Sequence, residues 1–158
     1  MMCAALAQDF PWLEAGETVR FTKAVTEEDI LLFARVTGDH DPVHVDAAYA
    51  RAAGFADIIA HGGLTLGLAS ATASRISQLA KSRGFPGISV SLGYDRVRFP
   101  HPVIAGETLT ARYSLGRWDA ARRRSISPVE ITAADGAVVA VCDHVMAWLM
   151  PQAPASAA

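Results

Sequence analysis

The stretch that decides the fold is HGGLTLGLASATASRISQLAKSRG, residues 61–84. Its first half consists of Gly, Ala, Ser, Thr and Leu, its charged residues come late, and Gly84 supplies a stop signal. This pattern predicts one long helix over residues 64–83. The small side chains along its first half allow a β-sheet to pack closely against it.

Segments with the alternation of half-buried β-strands lie on both sides of this helix. The predicted strands are residues 18–25, 88–99, 108–118, 124–133 and 138–149. Four of them follow one another, the last two joined by the turn Ala134-Asp135-Gly136, and such a run predicts an antiparallel sheet. Together with the early strand, this gives a five-stranded antiparallel sheet around one central helix, an α+β fold.

Two shorter helices are predicted before the central one. The first covers residues 27–36, with Thr26 as cap and Gly38 as stop, and the second runs from Asp46 through residue 52. Residues 39–44 between them are turn formers and are predicted to be a loop. We assign residues 18–150 to a single domain, residues 1–17 to an N-terminal extension and residues 151–158 to a disordered tail.

Composition excludes several classes of function. The chain has 158 residues and a net charge of −2, and its longest basic run is Arg122-Arg123-Arg124, so no nucleic-acid partner is expected. A membrane span is not expected either, because no stretch offers about 20 uninterrupted apolar residues. The two cysteines, Cys3 and Cys142, make no disulfide framework, which favours a cytoplasmic location.

The polar loop at residues 39–44 is the candidate site. Asp39 and His44 would lie roughly 17 Å apart in an extended chain, but a folded turn can bring both to one water molecule. The residues alone leave open that Asp39 bonds loop amides and His44 packs in the core. A metal site built from Asp39, His40, Asp41 and His44 is disfavoured, because consecutive side chains point apart in most backbones.

Residues 33–50, FARVTGDHDPVHVDAAYA, resemble the signature of the MaoC-like, R-specific enoyl-CoA hydratase family. That signature is an aromatic residue, Gly-Asp-x-Asn-Pro-aliphatic-His and a later small residue. The matching positions are Phe33, Gly38, Asp39, Pro42, Val43, His44 and Ala50. Asp41 departs from the pattern, since the family usually has Asn there. Residues 59–70 resemble the aliphatic-x-His-Gly opening of the family's central helix, and residues 98–109 resemble the edge of its next strand.

The resemblance implies the hot-dog fold, in which the sheet wraps the long helix. It assigns Asp39 as the base and His44 as its partner, with the Gly62 amide at the helix start as oxyanion donor. Ser70 stands at the position of the family's active-site serine. The acyl pocket is expected at the first turns of the helix, with Gly63 and Leu64 among the substrate-binding residues and with Gly67, Leu66 and Leu68 completing the floor and walls.

The implied activity is R-specific hydration of trans-2-enoyl-CoA, or the reverse dehydration of 3-hydroxyacyl-CoA. Neither a metal nor a redox cofactor is implied, and coenzyme A enters as part of the substrate. Two alternatives are acyl thioester hydrolysis and a non-catalytic subunit that binds acyl thioesters. A homodimer or higher homo-oligomer is expected, because a sheet curled round one helix leaves an edge strand open. His61 is expected only to cap the helix entry.

Overall fold

The structure is a computed structural model that describes residues 10–151. Cys3 and residues 152–158 of the predicted tail lie outside the described residues. In chain order the elements are β1 (Thr18–Ala24), α1 (Glu27–Thr37), α2 (Pro42–Val45), α3 (Ala47–Ala52), α4 (Gly62–Ser82), β2 (Ile88–Arg98), β3 (Thr108–Ser114), β4 (Arg117–Asp119), β5 (Arg124–Ala133) and β6 (Val138–Leu149).

The strands form one antiparallel sheet in the order β1-β3-β5-β6-β2, and β4 pairs with β5 beside that path. Helix α4 contacts all five strands of the path. The sheet therefore wraps the long helix, and the predicted α+β layout is confirmed. Across the described residues, no helix has both the length and the apolar character needed to span a membrane.

The sheet has six strands where the sequence predicted five, because the predicted strand 108–118 is interrupted. Tyr113 pairs with Val129 in β5, whereas Arg117 pairs with Ile126. Between these two pairs the segment from β3 to β4 advances by four residues, whereas β5 advances by three. Pro128, which has no N–H to donate to a ladder, lies at this break. The strand ends at Ser114 and a separate three-residue strand follows.

The predicted loop at residues 39–44 is also partly wrong, since it contains the one-turn helix α2. Asp41 caps this helix by accepting a hydrogen bond from the Val43 amide (3.1 Å). Pro42 occupies the first helical position, where a missing N–H costs nothing. The same Asp and Pro that indicate a turn therefore also start a helix, and α2 carries His44.

The core lies between α4 and the inner face of the sheet. The residues of α4 that are buried there are Thr65, Leu68, Ala69, Thr72, Ala73, Ile76 and Ala80. Several are small, which lets the strands approach the helix closely, as the sequence indicated. Phe10 and Leu13 add to this core from the stretch before β1, so residues 10–17 are packed on the domain.

A chain of polar side chains crosses the sheet beneath α4. His144 on β6 is fully buried and bonds the Tyr113 hydroxyl through Nδ1 (3.3 Å) and the Ser91 hydroxyl through Nε2 (2.8 Å). Burial lowers the pKa of His144 to about 4 and raises the pKa of Tyr113 to about 12. Both groups are therefore neutral near pH 7, and their hydrogen bonds join three strands.

Candidate active site

Asp39 follows directly on the end of α1. Gly38 ends the helix in the left-handed conformation (φ 82°), and its amide donates to the Ala34 carbonyl (2.8 Å). Glycine adopts this conformation without steric cost, which explains why it is found here. The turn places the Asp39 carboxylate on the outside of the fold, where 54% of the side chain is exposed.

His44 is held by the segment that precedes α4. Its Nδ1 lies 2.7 Å from the carbonyl oxygen of Ile59, and the Ile59 amide in turn donates to the Val43 carbonyl (3.2 Å). A carbonyl oxygen only accepts, so Nδ1 carries the hydrogen. In the neutral ring, Nε2 is then an unprotonated acceptor, available to a water molecule or a substrate.

The folded loop brings the carboxylate and the imidazole together. Asp39, His44 and His61 each offer an atom within 4.8 Å of the others. Two hydrogen bonds of about 2.8 Å can span such a gap through one water molecule. The pair can therefore hold one water between an acceptor nitrogen and a carboxylate.

Asp41 contributes to this geometry through its backbone. Its amide donates to Oδ1 of Asp39 (3.3 Å), while its own carboxylate is engaged with the Val43 amide as the cap of α2. Asn and Asp are about equally effective as helix caps. The departure from the family pattern at this position therefore leaves the local structure intact.

The start of α4 presents free amides beside the pair. The first hydrogen bond of the helix runs from the Thr65 amide to the His61 carbonyl (3.1 Å), so the amides of Gly62, Gly63 and Leu64 precede the helical ladder. These amides follow directly on His61, whose side chain contacts Asp39. Free amides at a helix start can stabilise negative charge on a bound group.

The two glycines at this helix start meet aromatic rings. A Cβ atom on Gly62 would come within 2.7 Å of the Phe99 ring, and one on Gly63 within 2.9 Å of the Phe33 ring. A larger residue at either position would therefore force the facing ring to move. By contrast, a Cβ on Gly67 would meet nothing within 4 Å, so open space lies further along the helix.

The remaining predicted site residues are distributed over two faces of α4. Leu68 is buried in the core, whereas Leu64 and Leu66 are half-buried and pack against it. By helical spacing, Leu66 lies toward the face that carries Gly63 and Gly67. Ser70 is exposed, on the same face as Gly63 and Gly67. It lies about 12 Å along the helix from Gly62, and in the described part of the chain it makes no hydrogen bond with Asp39 or His44.

His61, expected only to cap α4, contacts both members of the pair. Its side chain makes no capping hydrogen bond. Instead its Nε2 lies 3.0 Å from the Asp39 carbonyl oxygen, and its ring stacks on that of His44 with centroids 3.8 Å apart. Only 3% of His61 is exposed.

The cluster of Asp39, His44 and His61 has the composition of a metal site, although it differs from the set considered from the sequence. One nitrogen of each imidazole already bonds a backbone carbonyl. The two rings are stacked at 26°, and the nitrogens that bond no carbonyl are Nε2 of His44 and Nδ1 of His61.

The chain matches the MaoC like domain family over residues 13–135. This chain belongs to the MaoC-like family. The resemblance seen at residues 33–50 is thereby confirmed. Among solved structures, this MaoC-like domain is similar to the R-hydratase PhaJ1 from Pseudomonas aeruginosa, with 28% identity, a TM-score of 0.74 and coverage of 95% of this chain and 97% of that one. The (R)-hydratase from A. caviae has 27% identity, a TM-score of 0.72 and coverage of 88% and 98%. These neighbours also confirm the hot-dog fold.

Two curated relatives align with about two thirds of the chain. The 3-hydroxyacyl-thioester dehydratase Z of Mycobacterium tuberculosis is 38% identical over 103 residues, or 64% of this chain and 66% of that protein. The (R)-specific enoyl-CoA hydratase of Rhodospirillum rubrum is 33% identical over 102 residues, or 65% of each. The chain thus covers slightly less than two thirds of the length of these relatives.

The sequence does not indicate which contacts three aromatic residues make at the site of the MaoC-like domain. It predicts only a capping role for His61, and it does not predict that Phe33 meets Gly63 or that Phe99 meets Gly62. The signal was present as the consecutive glycines after His61, since glycines at a helix start indicate that something approaches closely. The sequence does not say which side chains approach.

Proposed function

We propose that this MaoC-like domain catalyses the R-specific hydration of trans-2-enoyl thioesters and the reverse dehydration of 3-hydroxyacyl thioesters. The observation that supports this most directly is the approach of the Asp39 carboxylate to the His44 imidazole, within 4.8 Å. The free amides that begin α4 follow His61, which contacts both residues. Adding water to an enoyl thioester requires a base, a group to orient the water and a donor for the thioester oxygen.

In the proposed reaction, Nε2 of His44 accepts a hydrogen bond from one O–H of the water, which stays on the oxygen, and Asp39 takes the proton of the other O–H as the water oxygen bonds to C3. The electron pair of the C2–C3 double bond moves onto the thioester, whose oxygen becomes negative. The Gly62 amide donates a hydrogen bond to that oxygen. The proton held by Asp39 then passes to C2, which gives the 3-hydroxyacyl thioester and restores the carboxylate. Positioned acid–base groups of this kind contribute about 10²–10⁴-fold.

The class of substrate is supported by the names of the relatives. They include an (R)-specific enoyl-CoA hydratase and a 3-hydroxybutyryl-CoA dehydratase, which act on the two sides of one equilibrium. We propose coenzyme A as the thioester carrier and no metal or redox cofactor. The cytoplasmic location and the absence of a nucleic-acid partner stay predictions from the sequence.

We propose that the active unit is a homodimer. Strand β2 is at the edge of the sheet and carries the exposed apolar side chains Ile88, Val90 and Leu92. Asp39 is more than half exposed in the single chain, so the site has little depth on its own. A second copy paired at this edge would cover apolar surface and deepen the cleft.

The deciding experiment is incubation of the purified protein with a panel of trans-2-enoyl-CoAs. Loss of the conjugated absorbance, with product identified as the R enantiomer of 3-hydroxyacyl-CoA, is the expected result. Release of free thiol would instead indicate a thioesterase. Thioester binding without either signal would indicate a non-catalytic subunit.

A further inference from the structure

His61 touches the candidate site at three points, yet the mechanism above gives it no task. Its Nε2 lies 3.0 Å from the carbonyl oxygen of Asp39 and 4.0 Å from the carboxylate oxygen Oδ2 of the same residue. Its ring covers that of His44, with centroids 3.8 Å apart and planes inclined by 26°. Its own carbonyl accepts the first hydrogen bond of α4.

The hydrogen bond to Asp39 determines the tautomer of His61. A carbonyl oxygen only accepts, so Nε2 must carry the hydrogen. In the neutral ring, Nδ1 is then an acceptor, and it is buried without a hydrogen-bond partner among the described residues. The two stacked imidazoles therefore have opposite tautomers, with the hydrogen on Nδ1 in His44 and on Nε2 in His61.

The unpartnered Nδ1 argues against a purely structural role. A buried polar atom without a partner costs free energy, and most buried polar atoms in folded proteins avoid it. The position also makes no capping bond, so an apolar aromatic ring would pack there at lower cost. What an apolar ring could not do is donate a hydrogen bond to Asp39.

We propose that His61 is a positioning residue that holds Asp39 and His44 in a fixed arrangement relative to each other. Its Nε2–H fixes the backbone of Asp39, and its ring fixes the plane of His44 so that Nε2 of His44 faces the water. The inference rests on the proposed hydration. It extends that proposal by adding a third side chain, which acts through the other two and does not touch the substrate.

Two variants separate the two contacts. His61→Phe keeps a ring against His44 but has no donor for Asp39, whereas His61→Gln keeps an N–H at the same distance along the side chain but has no ring. We expect each to lower kcat for crotonyl-CoA, by up to about 10²-fold, with little change in KM. The matched control is His101→Gln, which removes an exposed histidine whose Nδ1 bonds the Val138 carbonyl away from the site.

A double-mutant cycle with Asp39→Asn tests whether His61 acts through Asp39. If it does, adding His61→Phe to Asp39→Asn should cost far less than it costs alone, because groups that act as a unit give non-additive losses. A loss that is fully additive, or either single variant with the kcat of the wild type, would overturn the proposal.

The tautomers supply a readout that does not depend on activity. Histidine ¹⁵N spectra of the wild type should show the hydrogen on Nε2 of His61 and on Nδ1 of His44. A hydrogen on Nδ1 of His61 would overturn the proposal even if the His61 variants failed to fold. An inactive wild type with the expected tautomers would instead count against the proposed hydration, so the two failures can be told apart.

Discussion

At the scale of single residues, the site depends on backbone groups that orient side chains. The Ile59 carbonyl selects the tautomer of His44, and the Asp41 amide donates to the carboxylate of Asp39. The first contact leaves Nε2 of His44, and the second leaves Oδ2 of Asp39, without a hydrogen bond among the described residues. Substitutions at the reacting atoms should therefore affect turnover without affecting the fold.

Asp39→Asn keeps the shape of the side chain while removing the base. We expect turnover of enoyl-CoA to fall by about 10²–10⁴-fold, with the melting temperature unchanged. His44→Ala should lose turnover likewise and stay folded, with a lower melting temperature because the bond to the Ile59 carbonyl is lost. The double mutant should be far less impaired than the product of the single effects, because both residues serve one step. A fully active Asp39→Asn protein would mean that the site has been misassigned.

Asp41→Asn restores the residue that the family usually has. The Asn side-chain oxygen can accept the same hydrogen bond from the Val43 amide, so the cap of α2 should persist. We expect the activity and the melting temperature of this variant to stay close to those of the wild type, as for most surface substitutions. Asp41→Ala should lower both, since it removes the cap beneath His44, and its failure to do so would contradict the capping role.

At the scale of elements, α4 has two faces with different tasks. One face presses against the sheet, and the other carries Gly63, Gly67 and Ser70 on the exposed side. The sequence places the acyl pocket at Gly63 and Gly67, so a bulky side chain at Gly63 is one test of it. The structure transfers that test to Gly67, because a side chain at Gly63 would collide with Phe33, whose ring also packs on His61.

Gly67→Leu should depress the turnover of long enoyl-CoAs more than that of crotonyl-CoA, because the open space beside this residue would be filled. The helix itself should tolerate leucine, which has a higher helix propensity than glycine. Gln78→Leu, at another exposed position of α4, is the control. Equal losses for all chain lengths would place the acyl group elsewhere.

At the scale of the whole molecule, buried His144 links strands β2, β3 and β6 and makes stability depend on pH. Its pKa is lowered from 6.5 to about 4 by burial, so the unfolded chain binds a proton that the folded chain does not in this range. Stability from this group is present above pH 6.5 and is lost as the pH falls toward 4.

We expect the free energy of unfolding to fall by about 2 kcal/mol between pH 7 and pH 5 from His144 alone. Urea titrations at the two pH values measure it. His101→Gln should keep this difference, whereas His144→Gln should reduce it even if it lowers stability overall. An unchanged difference in His144→Gln would show that other groups cause it.

The proposed dimer also belongs to this scale. The double variant Val90→Lys, Leu92→Lys places charge on the edge strand β2. It should convert the dimer to a monomer, as measured by light scattering at micromolar concentration. Leu32→Lys, at an exposed leucine of α1, should leave the dimer intact. A monomeric wild type would rule out the proposed assembly.

Most of the elements could be predicted from the sequence because their signals are local. The caps Thr26 and Asp46, the stop at Gly38 and the alternation of the strands each act within a few residues. The family signature at residues 33–50 is equally local, and it selected Asp39 and His44. The sequence does not predict α2 or the break before β4. Pro42 stands at the first and Pro128 at the second, and proline can either begin an element or interrupt one.

What only the tertiary structure decided is which distant residues meet. Asp39 and His61 are 22 positions apart, and His44 and Ile59 are 15 apart. No periodicity or propensity encodes such contacts, because they arise when α4 and the segment before it dock on the sheet. Packing therefore determined that Phe33 fills the space at Gly63, and that the His61 side chain stacks on His44 and makes no capping hydrogen bond.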